Sequence, residues 1–141
     1  MMAETAQAAL YEAVARRLIA GAELWGQKAH PDIAPAKTAR PYVVYSYAGG
    51  GELNARVVQD AEIVLTIKIV SDKLEQAFTG SARLSELFND ADYGSAAALD
   101  AGATWVILHV KQEQIVHLVE NVDGGQVYHA GHRFRFRMER A

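Results

Sequence analysis

The segment AEIVLTIKIVS, residues 61–71, carries the clearest strand signal in this sequence. Large apolar side chains occupy alternate positions within it, at Ile63, Leu65, Ile67 and Ile69. Polar residues stand between most of them, and this period of two is typical of a β-strand with one buried face. Burying the four apolar side chains contributes at most about 6–12 kcal/mol to folding. The segment therefore predicts a strand that anchors the core of the protein.

Helical periodicity is found on both sides of this strand. Residues 5–20 place apolar side chains at spacings of four, and Gly21 follows as a C-cap, which predicts a first helix. Asp72, with Glu75 three residues later, is the predicted N-cap of a second helix that runs to about Asn89. The predicted face of that helix comprises Leu74, Phe78, Ser81, Leu84 and Phe88.

The remaining strands are predicted from β-branched and aromatic runs separated by turn residues. They cover residues 42–47, where Gly49–Gly51 are expected to end the strand, and residues 104–112, 115–120 and 126–138. All three prolines fall in or at the end of residues 25–41, which predicts an irregular connection there. The predicted order is α-β-β-α-β-β-β. It indicates an α+β fold, with an antiparallel or mixed sheet of about four to five strands and two helices packed on it.

The composition is that of a globular protein, because half of the 141 residues are apolar and 22% are charged. This length predicts a single domain over residues 1–141. No run of ~20 apolar residues predicts a membrane span, and residues 1–9 do not resemble a secretory signal, so we expect synthesis in a cytoplasm. The absence of cysteine excludes disulfides, thiolate catalysis and zinc knuckles.

Charge is distributed unevenly along the chain. Residues 133–141 contain four arginines and one glutamate, a balance of +3, so residues 1–132 carry −6 to give the total of −3. The acidic remainder does not favour nucleic-acid binding. Arg133, Arg135 and Arg137 share one predicted face of the last strand, opposite Phe134 and Phe136. That face could be solvated and paired with Glu62, could meet an acidic neighbouring subunit, or, as the last choice, could bind phosphate.

The sequence contains no motif that predicts catalysis or a cofactor. Gly49–Gly51 lack the spacing of a phosphate-binding loop and are expected to form a hairpin tip. His129 and His132 lie three residues apart, which places them on opposite faces of a strand, so a shared metal ion is not expected. We therefore expect a protein that is not an enzyme and that binds neither a cofactor nor a metal.

The order of these segments resembles the phage tail-completion family, also described as tail-terminator or minor tail protein U-like. The resemblance rests on the first helix, the Ile33-Ala34-Pro35 connection and the Pro41-Tyr42-Val43-Val44-Tyr45 strand. The long alternating strand, the Asp-capped helix and the final strand with alternating aromatics extend it over about Leu10–Met138.

The resemblance implies a structural virion protein that forms a ring, usually of six subunits, at the head-proximal end of a phage or phage-like tail. Its implied partners are further copies of itself, the tail-tube protein and the head-tail connector. DNA is expected to pass through the pore without specific binding. We expect Arg133, Arg135 and Arg137 to lie at a subunit interface. The residues expected to contact the tail tube are Gly49, Gly50, Gly51, Glu52, Leu53 and Asn54.

Two other functions stay open from the sequence. The protein could be another neck component, such as a head-tail adaptor or stopper, or a tail-tube subunit. It could also be a small-ligand-binding α+β barrel protein with a polar pocket. Tyr45, Tyr47, His109 and His117, converging between sheet and helix, are one example of such a pocket.

Overall fold

The computed structural model describes residues 5–21, 24–26, 28–53 and 60–141. It contains two helices and a five-stranded mixed sheet, which confirms the predicted α+β class. The elements are α1 (Ala6–Ala20), β1 (Ala29–Pro31), β2 (Tyr42–Leu53), β3 (Asp60–Ser71), α2 (Leu74–Phe88), β4 (Trp105–Val122) and β5 (Gly125–Arg140). No helix in these residues is long and apolar enough to cross a membrane.

The sheet has the strand order β1-β2-β3-β5-β4, so β3 is its central strand. All neighbouring strands are antiparallel except β1 and β2. Leu65 at the middle of β3 pairs with Tyr47 of β2 on one side and with Phe134 of β5 on the other. The four alternating apolar residues of β3 are buried as predicted, beneath helices that cover one face of the sheet.

The first helix begins and ends as predicted. The side chain of Thr5 accepts the backbone N–H of Ala8 at 3.1 Å, and the N–H of Gly21 reaches the carbonyl of Arg17 at 3.0 Å. Leu10, Val14 and Leu18 are fully buried. The helix packs on the β1–β2 side of the sheet, and α2 packs on β3, β5 and β4.

The second helix differs from the prediction in its cap and in its buried face. Lys73 occupies the N-cap position, and the carboxylate of Asp72 instead accepts the Nε of Arg40 at 2.5 Å. Phe78 was expected in the core but is 54% exposed. The buried residues are Ala77, Gly80, Leu84, Leu87 and Phe88. A small residue is needed at Gly80 because a Cβ there would lie 2.9 Å from the Cγ2 of Ile69. Small side chains therefore face the sheet in the first half of the helix, and Leu84, Leu87 and Phe88 are buried in its second half.

The proline-containing connection includes a strand that the sequence did not predict. β1 pairs with only three residues of β2, and Lys28 and Tyr45 provide the carbonyl groups that accept hydrogen bonds at its two ends. Trp25 precedes it and is buried, with its indole N–H donated to the carbonyl of Leu18 at 3.0 Å. The connection is therefore partly a sheet element.

β2 and β4 are longer than predicted. β2 continues through Gly49–Gly51, with a register shift between Tyr47 and Gly49, so these glycines do not end the strand. Residues 104–112 and 115–120 were predicted as two strands but belong to the single strand β4. Its pairing with β5 shifts twice, between Ile107 and His109 and between Gln112 and Gln114. Bulges thus replace the breaks that the sequence suggested.

Candidate interaction surface

The face of the sheet that the helices leave uncovered carries a row of charged residues. β5 alternates strictly in this region, so Phe134, Phe136 and Met138 are buried on the helix side of the sheet, while Arg133, Arg135 and Arg137 point to the opposite face. We call these three arginines the arginine face. Because β5 lies between β3 and β4, the arginines stand inside the sheet and not at its edge.

Two residues of the arginine face are paired with carboxylates of the same chain. Arg135 donates to Glu62 at 2.5 Å and also to Glu113, with which it forms a two-point contact. Arg137 donates to Asp60 at 2.9 Å and to Glu62 at 3.4 Å. The hydrogen bonds that Arg135 donates, first to Glu113 and then to Glu62, raise the pKa of Arg135 above its usual value. The expected pairing with Glu62 is therefore present, within a network that spans β3, β5 and β4.

Arg133 differs from the other two arginines. It is exposed, and in the described part of the chain it donates to the neutral side chain of Gln114 at 3.0 Å. Its cross-strand neighbour on β3 is Thr66. A carboxylate from another protein could therefore approach Arg133 without first displacing an ion pair.

Gly49 and Gly50 lie beside this charged face. They line an open groove of about 540 Å³, which is also lined by Ala48, Val64, Glu113, Gln114, Arg133 and Arg135. The structure thus brings together residues from the two predicted contact sites, which are more than 80 positions apart in the sequence. Sequence spacing gave no sign of this proximity, because it arises from the pairing of β2, β3 and β5.

The residues predicted to contact the tail tube do not form the hairpin tip that was expected. Gly50 lies in β2, paired with Ile63, and not in a hairpin tip. Its φ is 87°, and a Cβ there would lie 2.9 Å from the carbonyl carbon of Glu62, so this position requires glycine. The backbones of Glu52 and Leu53 also belong to β2. Asn54 lies outside the described residues.

The histidines of β5 do not form a metal site. His129 lies 2.5 Å from Glu120 on the uncovered face, whereas His132 lies 3.1 Å from the hydroxyl of Ser81 under α2. Burial lowers the pKa of His132 and favours its neutral form. In residues 5–21, 24–26, 28–53 and 60–141 no group of three or more possible ligands comes together.

The four residues suggested for a ligand pocket do not come together. Tyr45 and Tyr47 are on β2, whereas His109 and His117 are on β4, and β3 and β5 lie between these strands. Tyr45 is buried against the ring of Tyr11 with ring centroids 5.3 Å apart. His117 instead contacts Phe78. The four side chains therefore do not converge.

Sequence reasoning identified the arginines and Glu62 but missed two of their acidic partners. Asp60 follows the same alternation as Glu62 and could have been placed on that face from β3 alone. Glu113 could not have been placed, because it occupies the bulge between Gln112 and Gln114, where the alternation of β4 changes phase.

Comparisons with known proteins agree with this architecture. A family model described as tail completion protein gp17 matches residues 9–139. One similar solved chain comes from the virion of a native gene transfer agent particle. It has 19% identity and a TM-score of 0.66, and the match covers 96% of this chain and 95% of that one. A second solved chain has 12% identity and a TM-score of 0.57, with 98% and 97% covered. No curated protein sequence matches.

Proposed function

Because this chain belongs to the tail completion protein gp17 family, we propose that it completes the tail of a phage or phage-like particle by forming a ring at the head-proximal end. The observation that carries the proposal is the family match, which spans nearly all of the described fold. A structural role, with no catalytic step, is part of the proposal.

The proposed ring contains six copies in a head-to-tail arrangement. Such a ring requires two different and complementary surfaces on each subunit. Arg133 supports this arrangement, because it is exposed and bonded to the neutral Gln114, so it can meet an acidic surface of a neighbouring subunit. The tail-tube protein and the head-tail connector are the proposed partners on the two sides of the ring. DNA passes through the pore without specific binding, and the ring is assembled in the bacterial cytoplasm and retained in the virion.

The groove between β2 and the arginine face is the proposed contact surface for a protein of the particle. Its size and its mixture of glycine backbone and charged side chains suit a protein segment. A Cβ at Gly49 would have open space around it, so a larger side chain can fill the groove without disturbing the strand.

Replacing Gly49 with leucine is therefore expected to leave the fold and the ring intact and to prevent the capping of tail tubes. The measurement is the length distribution of tubes grown with the variant, by electron microscopy, together with its melting temperature. Ala96→Leu, at an exposed loop position away from the groove, is the matched control and should cap normally. Normal tube lengths with Gly49→Leu would show that the groove does not contact the tail tube.

Replacing Arg133 with glutamate tests the arginine face without breaking an internal ion pair, since Arg133 is bonded to Gln114. Replacing Arg135 and Arg137 with glutamate is a less informative test. It would place two more acids beside Asp60, Glu62 and Glu113 and would weaken the fold itself. If Arg133 meets an acidic neighbouring subunit, Arg133→Glu is expected to reduce ring formation in light scattering at ~0.1 M salt, less so at high salt. Unchanged ring formation would exclude Arg133 from the subunit interface, and a simultaneous loss of capping would assign it to the tube.

A further inference from the structure

The outer edge of β4 is covered along only half of its length. The segment after α2 hydrogen-bonds to the N-terminal half of β4. The N–H of Asp90 donates to the carbonyl of Val110 at 3.2 Å, and the N–H of Tyr93 donates to the carbonyl of Leu108 at 2.8 Å. The side chain of Asn89 accepts the N–H of Gln112 at 3.2 Å. In the described part of the chain this cover ends at Gln112, so the strand continues to Val122 with an open edge.

The open half of β4 exposes large apolar side chains. Ile115 is 79% exposed, and Leu118, Val119 and Val122 are also exposed. Ile115 pairs with His132 and therefore faces the helix side, whereas Leu118 pairs with His129 and faces the other side. Phe78 of α2 extends the surface by contacting His117, with ring centroids 5.6 Å apart. We call Phe78, Ile115, Leu118, Val119 and Val122 the apolar edge, because they surround the edge of the strand.

The backbone of the apolar edge is also available for hydrogen bonding. The two-residue turn at Asp123 and Gly124, both with positive φ, makes Val122 and Gly125 a hydrogen-bonded pair. Hydrogen-bonded and non-hydrogen-bonded residue pairs alternate along an antiparallel ladder. Counting back from Val122, the residues Ile115, His117 and Val119 are in non-hydrogen-bonded pairs, so their N–H and C=O groups point away from β5. β3 ends at Ser71, opposite Tyr128, and the hairpin beyond it is two-stranded. A long apolar strand edge of this kind is a template for another chain.

The opposite edge of the molecule presents an apolar loop. Residues 32–37, which we call the connection loop, follow β1 and contain Ile33, which is 83% exposed, followed by Ala34, Pro35 and Ala36. The loop is anchored at Asp32, whose N–H reaches the carbonyl of Tyr45 at 2.8 Å and whose carboxylate accepts the hydroxyl of Tyr11 at 2.9 Å. The exposed isoleucine is therefore held on a fixed support at the β1 side of the sheet.

The two surfaces have opposite charge. Residues 112–127 contain Glu113, Glu120 and Asp123 and no lysine or arginine; because Arg135 neutralises Glu113, a balance of −2 remains. Arg133, bonded to Gln114, reduces this balance without reversing it. Residues 28–41 contain Lys28, Lys37 and Arg40 against Asp32; because Arg40 pairs with Asp72, a balance of +1 remains. Two copies joined by the same apolar edge would bring like charges together, whereas an edge that meets a connection loop brings opposite charges together.

We propose that the apolar edge of one copy receives the connection loop of a second copy, and that this contact joins neighbouring subunits head to tail. The inference rests on the proposed ring and identifies its interface. Because the two surfaces lie at opposite edges of the sheet, each copy can engage two neighbours at once, and repetition of the contact closes into a ring or extends as a filament. The exposed Ile33 is the side chain that enters the apolar surface around Ile115 and Val119.

Two single variants and their mixture test this inference. Ile33→Glu adds a negative charge to the connection loop, and Ile115→Glu adds one to the apolar edge. Both positions are highly exposed, so each variant should melt as the wild type does. Each is expected to self-associate at least ~30-fold more weakly than the wild type by sedimentation velocity, since each lacks one half of the contact. An equimolar mixture should form dimers and nothing larger, because it retains one intact contact between unlike copies.

The other outcomes separate the inference from the proposed function. Ile19→Glu, two turns along α1 from Tyr11, is the control and should assemble normally. If Ile33→Glu assembles normally while Ile115→Glu does not, two apolar edges meet each other and the head-to-tail contact is wrong. If both variants assemble normally, the interface lies elsewhere and the proposed ring stands. A wild type that stays monomeric at all concentrations would overturn self-assembly, and this inference with it.

Discussion

Replacing Leu65 with aspartate is expected to abolish the cooperative melting transition of the protein. Leu65 is fully buried at the centre of β3, between β2 and β5 and beneath the helices. Removing such a side chain costs about 2–5 kcal/mol even when alanine replaces it. A carboxylate at this position adds the penalty of a buried charge without a partner. Domains of this size are commonly stable by only about 5–15 kcal/mol, so the folded state would be largely lost.

The next residue on the same strand supplies the control for this experiment. Thr66 faces the uncovered side of the sheet and pairs with Arg133. Thr66→Asp introduces the same side chain within reach of solvent and of a guanidinium group, so we expect a stability change of no more than ~1 kcal/mol. Circular dichroism melting of the two variants is the measurement. A normal transition for Leu65→Asp would contradict the burial of this face of β3.

Replacing Gly131 with alanine is expected to lower the melting temperature by roughly 5 °C or more. Gly131 lies within β5, paired with Lys68 of β3 and with Val116 of β4. A Cβ at this position would overlap the carbonyl oxygen of Ile67 and lie 2.6 Å from the Cα of Lys68. Because the obstruction is backbone on an adjacent strand, it can be relieved only by separating β3 from β5 and weakening the hydrogen bonds between them.

Gly49→Ala is the matched control, since a Cβ at Gly49 has no neighbour within 4 Å. It should change the free energy of unfolding by no more than ~0.5 kcal/mol. Differential scanning calorimetry of both variants gives the comparison. Equal melting temperatures would show that the approach of β3 to β5 at Gly131 is looser than described. The same data provide the folding baseline for the Gly49→Leu capping experiment.

Local sequence patterns predicted a residue's position correctly wherever that position depended on its near neighbours in the chain. The alternation of residues 61–71 placed Leu65 inside and Glu62 outside, and the strict alternation of β5 separated Phe134 from Arg135. Gly21, the predicted C-cap, ends α1 for the same reason. In each case a period or a capping interaction within a few residues carried the information.

Local patterns failed where a distant segment changed the outcome. Asp72 satisfies the rule for an N-cap, but its carboxylate binds Arg40 from the proline-containing connection. Phe78 follows the helical period of Leu84 and Phe88, yet the close approach of α2 to β3 at Gly80 rotates small residues toward the sheet. The glycines at 49–51 resemble a strand end, but β3 pairs with them throughout. Pairing across the sheet overrode local preference in this last case.

The sequence by itself determined the α+β class, the buried face of β3, the two faces of β5 and the resemblance to tail-completion proteins, because these depend on period, capping and segment order. Only the tertiary structure decided which carboxylates neutralise Arg135 and Arg137, that Gly49 shares a groove with Arg133, and that half of the β4 edge is open. These features join residues that are distant in the chain, and strand register and bulges set such contacts. The surfaces proposed to build the ring are therefore properties of the folded sheet.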